Sequence, residues 1–309
     1  MSHLSSKHFH DEQAAYDYVE ARVWPHGATC PKCGERERVS KMGGKSTRIG
    51  AYKCYKCRVP FTVKIGTVFE SSHVPMHIWL QAIYLLCGSK KGISSNQLHR
   101  TLGVTLKTAW FMSHRIREAM RTDGSFDFGS GGGVVEADET FIGKDPKMMR
   151  YYPKGQKIGI RQKMKVLALI DRDTGRAKTT VIDHLGQRDI APILRENIAK
   201  EARLSTDEAS YYRKVGLEFA EHMTVNHSAE EYARGEAHVN SLEGFFSIFK
   251  RGMKGVYQHC GKKHLHRYAA EFEFRYNNRI ANGVDDRERA DRALMGIIGK
   301  RLTYETAGA

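Results

Sequence analysis

The chain has no long hydrophobic run, few cysteines and a shortage of acid relative to base. No window reaches the ~20 consecutive apolar residues that a membrane-spanning helix needs; the most apolar stretch, residues 78–87, is too short and contains Gln81. Residues 1–10 are polar and His-rich, without the apolar core of a secretory signal. Neither export nor a membrane span is expected, and the reading is of a soluble, cytoplasmic protein. Six cysteines occur in 309 residues, four of them in two close pairs, and in a reducing compartment such pairs point to metal rather than to disulfides. Acids number 35 against 50 Lys and Arg, a formal charge of +15. Such an excess favours a polyanionic partner, most often nucleic acid. The length suits about two domains with small accessory modules.

Cys30-Pro31-Lys32-Cys33-Gly34 and Cys54-Tyr55-Lys56-Cys57 stand twenty residues apart. Two residues between thiolates let a tight knuckle present both sulfurs to one ion, and two knuckles close a tetrahedral site with no position left for catalysis. One structural Zn2+ on Cys30, Cys33, Cys54 and Cys57 is therefore expected. Lys32, Arg36, Arg38, Lys41, Lys45, Arg48, Lys53, Lys56 and Arg58 surround the knuckles. They fit a nucleic-acid contact and a solvated basic face equally well.

Ile78, Trp79, Ala82, Ile83 and Leu86 make one face of a helix. Ser94 with Gln97 forms a candidate capping box, and Gly103 suits a helix end. A third helix from about Leu106 buries Ala109, Met112, Ile116 and Met120. This is a helix-turn-helix, whose last helix reaches base edges from its start and phosphates along its length. Lys107 and Thr108 are the base-proximal candidates, with His114, Arg115 and Arg117 along the helix; a helical bundle that only supports the next domain is the alternative. Gly129 to Gly133 reads as a flexible hinge and a domain boundary.

After that hinge the period changes to strands: 134–142 with Asp138, then 165–170, 177–182 and 204–206, with a helix over 189–199 between the last two. Three strands, a helix, another strand and later helices give an α/β class, a mixed sheet covered by helices, and the order fits a ribonuclease H-like sheet. Asp138 then lies on the first strand and Asp207 at the end of the fourth, adjacent if those strands pair. Glu243 falls in a helix over 237–250 whose stripe is Leu242, Phe245, Phe246 and Phe249. Asn240, one turn earlier, is its rival as the third metal-site residue. Lys250 and Arg251 follow as phosphate-holding candidates. A carboxylate triad of this kind holds two Mg2+ (or Mn2+) ions for phosphoryl transfer. Acids at strand ends and on helices usually just face water, and Glu136, Glu139, Glu208, Asp171 and Asp183 lie close by as decoys. Eight Lys or Arg between Gly244 and Arg279, against Glu271 and Glu273, suggest a DNA-facing helical surface.

Cys-Pro-Lys-Cys-Gly, Val135-Glu136-Ala137-Asp138-Glu139-Thr140, Thr206-Asp207-Glu208, His238-Val239-Asn240-Ser241-Leu242-Glu243-Gly244-Phe245-Phe246, and the stretch from Gly255-Val256-Tyr257 to Tyr276-Asn277-Asn278-Arg279 resemble the ISXO-like zinc-ribbon insertion-sequence transposases. The resemblance runs across most of the chain. It implies a DDE-type transposase that cleaves and joins double-stranded DNA at element ends, with Asp138 and Asp207 in the metal site. Members vary at the third position, so Glu243 and Asn240 both stay open. Synapsis of two ends implies a homo-oligomer. The expected plan is an N-terminal helical segment over 1–28, a ribbon over 29–70, a helix-turn-helix over 71–128, a catalytic domain over 129–300 and a tail over 301–309. The alternatives are a DNA-binding regulator with an inert nuclease-like domain, or a metal-dependent nuclease that cuts without joining.

Overall fold

The computed structural model describes residues 3–149, 157–225 and 238–303. The chain divides into two compact units, one from the N-terminal part through Arg121 together with the segment from Val284 onwards, the other Thr122–Gly283. In the first unit α1 (Glu12–Val23) starts at Asp11, whose carboxylate accepts the Ala14 N–H at 2.7 Å, a cap that satisfies one orphan donor. Strands β1 (Val39–Lys41), β2 (Tyr52–Cys54) and β3 (Pro60–Phe61) form a small antiparallel sheet. Its core is only Cys30, Cys54 and Phe61, flanked by Trp24, Val39 and Tyr52. Three helices follow: α2 (Met76–Gly88), α3 (Ser95–Leu102) and α4 (Leu106–Met120). The sequence signals for their ends are the ones used: Ser94 Oγ accepts the Gln97 N–H at 3.2 Å, and Gly103 takes the left-handed conformation at φ 65°.

The second unit holds β4 (Val134–Ile142), α5 (Pro146–Met149), β5 (Met164–Asp171), β6 (Arg176–Ile182), α6 (Gln187–Asn197), β7 (Arg203–Asp207), α7 (Tyr212–Gly216), β8 (Glu221–Val225), α8 (Asn240–Gly252) and α9 (Lys262–Asn277). The five strands lie in the order β6-β5-β4-β7-β8, antiparallel among the first three and parallel from β4 to β8. This is the expected ribonuclease H-like mixed sheet, with one strand more than the sequence shows: β8 is an edge strand, largely half-exposed, and carries no apolar run. Alternation along the strands builds two cores. Val135, Ala137, Leu167, Leu169 and Leu204 pack with Ile190 and Leu194 of α6 and Tyr212 and Val215 of α7. Val166, Ala168 and Ile170 pack on the other face with Leu242, Phe245, Phe246 and Phe249 of α8 and Phe272 of α9. Each of the Val, Leu, Ile and Phe side chains among these contributes about 1.5–3 kcal/mol of burial.

Two features of the expected plan are revised. The glycines 129–133 are not a flexible hinge: Gly129 and Gly133 are buried, Gly129 donates its N–H to Asp171 Oδ2 at 3.1 Å, and a Cβ on Gly129 would stand 2.4 Å from Ala202 Cβ. They are a packed turn, and the boundary falls earlier, between Arg121 and Thr122. The segment after Val284, assigned above to the catalytic domain, belongs to the first unit. There α10 (Asp286–Met295) takes the Arg22 guanidinium on Asp291 at 2.8 Å and the Tyr18 hydroxyl on the same oxygen at 2.5 Å. Arg289 donates to Cys87 O at 3.2 Å, and Lys300 to Ala119 O at 3.2 Å. Of the tail 301–309, residues 304–309 lie outside the described residues, as does the expected start of α8 at residue 237.

Candidate active site and metal centre

The four paired cysteines converge. Their sulfurs all lie within 4.8 Å of one another, with Cys30–Cys57 and Cys33–Cys54 each 3.6 Å apart. Four sulfurs at ~2.3 Å from one tetrahedral ion would be ~3.8 Å apart, so the cluster has the size of a structural zinc site. The chain turns each knuckle with a residue at positive φ, Gly34 at 71° after the first and Arg58 at 58° after the second. The Cys57 backbone N–H, ahead of the other neighbours, pulls the Cys54 thiol down to about 7, while Cys33, against the Glu35 backbone N–H, is pushed up to about 12 by burial and the other thiols; the four crowded sulfurs share protons that a bound metal would displace.

In the second unit β4 and β7 run parallel, and their register runs up to Ala137 opposite Thr206. Asp138 and Asp207 are the next residues along, level with each other on neighbouring strands. Both point to the side that carries α8. Glu136, two residues before Asp138, accepts from Ser241 and Leu242 of α8, and Ser205, two before Asp207, donates its hydroxyl to His238 O at 2.8 Å. Burial pushes the Asp138 carboxyl up to about 8; the Glu139 and Asp207 charges add to this, while the Glu139 backbone N–H, at 2.7 Å, and the Lys250 charge oppose it. A buried carboxyl flanked by two acids retains a proton unless a cation replaces it. The oxygen-rich, acid-crowded setting therefore fits a hard divalent cation. Among the described residues the cysteines are the one group of three or more ligating side chains within 4.8 Å; the acids are set more openly.

The third candidate arrives on α8. Its apolar stripe is buried, while Asn240, Glu243, Lys250 and Arg251 are exposed. The helix start is pinned by Glu136, which is wholly buried and accepts from the Leu242 N–H at 3.0 Å, the Ser241 hydroxyl at 3.0 Å and Arg172 Nε at 2.7 Å. With Leu242 fixed beside Glu136 and the Lys250 charge felt at Asp138, Glu243 lies on the stretch of helix between those two points. Asn240 precedes the anchored residue.

Glu136 and Glu139, decoys for the site in the sequence, are buried and hydrogen-bonded. Glu139 is buried on the opposite face of β4, where it accepts the Tyr211 hydroxyl at 2.8 Å and the Tyr212 hydroxyl. Burial raises its carboxyl to about 7, against the two tyrosine hydrogen bonds and with the Asp207 charge. The only sequence signal for either acid was its place inside an apolar run.

The helix-turn-helix candidates separate. Lys107 is exposed and Thr108 half-buried at the start of α4, beside a cleft of about 370 Å³ that Ser72, His73, Val74, Phe111 and Arg115 also line. His114, Arg115 and Arg117, expected along a free helix face, are instead 1%, 5% and 1% exposed. Arg115 is spent on backbone carbonyls, Val68 O at 2.7 Å, Glu70 O at 2.9 Å and Leu302 O at 3.2 Å, and Arg117 donates to Ser113 Oγ at 3.0 Å. The basic stretch 244–279 is likewise only partly a surface. Lys250, Arg251, Lys254 and Lys263 are exposed, but Arg275 is buried against Glu271 and Lys262 bridges Asp145 and Asp183.

A family model described as ISXO2-like transposase domain matches residues 131–277, and one described as transposase zinc-ribbon domain matches residues 10–59. An "uncharacterized protein in transposable element ISH50" of Halobacterium salinarum is 26% identical over 280 residues, covering 87% of this chain and 92% of its own. An "uncharacterized transposase-like protein" of Haemophilus influenzae is 26% identical over 100 residues, 32% of this chain and 80% of its own. A solved intasome of simian T-cell lymphotropic virus in complex with a PP2A regulatory subunit aligns at a TM-score of 0.28 and 10% identity, over 62% of this chain and 64% of that one, too weak a likeness to carry argument. The chain thus carries a transposase zinc-ribbon domain over residues 10–59 followed by an ISXO2-like transposase domain over residues 131–277.

Proposed function

We propose that this transposase cleaves the ends of an insertion sequence and joins them to target DNA in the cytoplasm, with Asp138, Asp207 and Glu243 as the metal-binding triad. The observation that carries the reading is the register of β4 against β7, which sets two acids side by side on one face of the sheet. Two Mg2+ or Mn2+ ions bound there supply an activated oxygen nucleophile at neutral pH and stabilise the departing oxygen. Asp138 and Asp207 offer hard oxygen ligands in a setting where desolvation strengthens their attraction for a cation. Glu243 is preferred to Asn240 because it lies between the helix anchor and Lys250 and brings a charge. Lys250 holds the phosphate next to the cut, and Arg251 the backbone beyond it. Lys107 and Thr108 read bases at the element end, and a single zinc on the four cysteines holds the ribbon. Because water serves for cleavage and the freed DNA 3′-hydroxyl for joining, Tyr211 and Tyr212 have no nucleophilic part. Two ends joined together call for at least a dimer.

The test is strand transfer by purified protein on end-containing DNA with Mg2+. Asp138→Asn and Asp207→Asn are expected to lose it while keeping DNA binding, and Glu243→Gln to lose far more than Asn240→Ala. Unchanged joined product in either aspartate variant would remove the triad from the reaction. Binding without nicking of any substrate would indicate a regulator, and nicks without joined product a nuclease.

A further inference from the structure

We propose that Glu139, Tyr211 and Tyr212 are positioning residues, a clamp on the far face of the sheet that sets the separation of Asp138 and Asp207 and thereby the affinity for the divalent cation. The inference rests on the metal-binding role proposed above. The β4–β7 register brings the two aspartates level but ends at Ala137 and Thr206, one residue short of both; Asp138 itself pairs with Ala168 of β5 and Asp207 with Val225 of β8, so no backbone pairing ties one aspartate to the other. Immediately beyond, β4 and the loop after β7 are joined again by side chains. Glu139, adjacent to Asp138, accepts the Tyr211 hydroxyl at 2.8 Å and the Tyr212 hydroxyl. Both tyrosines come from the start of α7, just after the turn in which Asp207 Oδ1 accepts the Ala209 N–H at 3.0 Å. Each aspartate is thus tied through a short piece of backbone to one half of the clamp.

The clamp faces away from the side where the aspartates meet α8, so it does not touch metal or DNA. Glu139 and Tyr212 are buried, in or beside the core formed by α6 and α7, where bonds to a carboxylate are strong and directional. Mg2+ demands near-octahedral oxygens at ~2.1 Å, so small changes in the span between two carboxylates are felt in affinity. Loss of groups bonded directly to metal ligands costs about 10- to 100-fold in metal binding; the clamp acts one step further back, which places its effect at the lower end.

The experiment titrates Mn2+ into the zinc-loaded full chain without DNA, following free Mn2+ by electron paramagnetic resonance, and then measures nicking against Mn2+ concentration. Tyr211→Phe and Tyr212→Phe, which change no volume, are expected to raise the Mn2+ dissociation constant by about tenfold, with nicking restored at saturating Mn2+. Glu139→Leu reproduces the loss, and Glu139→Gln, whose amide can still bond both hydroxyls, recovers most of it. Folded tyrosine variants that bind Mn2+ as tightly as the wild type would overturn the clamp, as would a loss of nicking that saturating Mn2+ does not restore. Asp138→Asn distinguishes the two levels of the argument: if it too leaves Mn2+ binding unchanged, the metal site itself is misassigned and the clamp falls with it.

Discussion

Glu136→Gln tests whether the helix that carries Glu243 is held by one buried carboxylate. The side chain of Glu136 is 0% exposed and accepts from three donors, Arg172 Nε at 2.7 Å, the Ser241 hydroxyl at 3.0 Å and the Leu242 N–H at 3.0 Å. A glutamine offers one oxygen and one NH2 in the same space. Ser241 can turn to accept from that NH2, but either Arg172 or the α8 amide then faces a donor. Breaking a buried ion pair from one side costs about 3–5 kcal/mol, a sum that includes about 1 kcal/mol for the lost helix cap. At ~2–4 °C per kcal/mol for a unit of this size, the melting temperature falls by about 6–20 °C. Urea unfolding followed by tryptophan-independent far-UV dichroism measures the loss, and amide hydrogen exchange at Leu242 to Phe246 should speed up beyond the global change. A loss under ~1 kcal/mol with unaltered exchange in α8 would refute the anchoring. Replacing both members, Glu136→Met with Arg172→Met, should be less damaging than the sum of the single changes, because no buried charge is then left alone.

Removing zinc with a chelator, or Cys54→Ser, should unfold the ribbon while the ribonuclease H-like unit keeps its dichroism. The ribbon core is three side chains and their flank, and the metal supplies on the order of 10 kcal/mol of its folding free energy. In DNA binding, Lys107→Ala should cost about 1–3 kcal/mol on the element end and little on unrelated DNA, whereas Lys250→Ala should reduce the slope of log affinity against log salt by ~0.9. Arg115→Ala should leave that slope unchanged and instead lower the melting temperature, since its guanidinium serves three carbonyls. Glu273 on α9 is buried and accepts from the Thr179 N–H at 2.7 Å and hydroxyl at 2.8 Å. Burial, ahead of those bonds, raises its carboxyl above the ordinary 4.5. The folded chain therefore binds this proton more tightly than the unfolded one, so the contribution is complete below about 4.5 and is lost as pH rises through the folded value. Glu273→Gln should match the wild type in urea midpoint near pH 4 and exceed it near pH 8; an equal gain at both would deny the titration.

What could be read from the sequence was what local chemistry decides. Ser94 and Gly103 mark their helix because a cap needs an acceptor and a C-terminus needs a left-handed residue, and both requirements are met within a few residues. The knuckles announce themselves for the same reason, and Asp138 and Asp207 were placed by the strands around them. The misread residues are those whose partners only the fold shows. His114, Arg115 and Arg117 have the spacing of a basic helix face, but Arg115 is drawn onto the carbonyls of Val68, Glu70 and Leu302, Arg117 onto the Ser113 hydroxyl and His114 against the Trp110 ring. Glu136 and Glu139 show in the sequence only as decoys beside Asp138, without a sign of what they bond. In β4, central in its sheet and covered on both faces, both are buried. A charge can stay there only with partners, and these come from Arg172, Ser241, Leu242, Tyr211 and Tyr212, which the fold alone brings near. An acid embedded in an apolar, two-sided strand is therefore evidence for a distant donor, and the two such acids that flank Asp138 on β4 tie the strand on one face to α8 and on the other to the loop that follows Asp207.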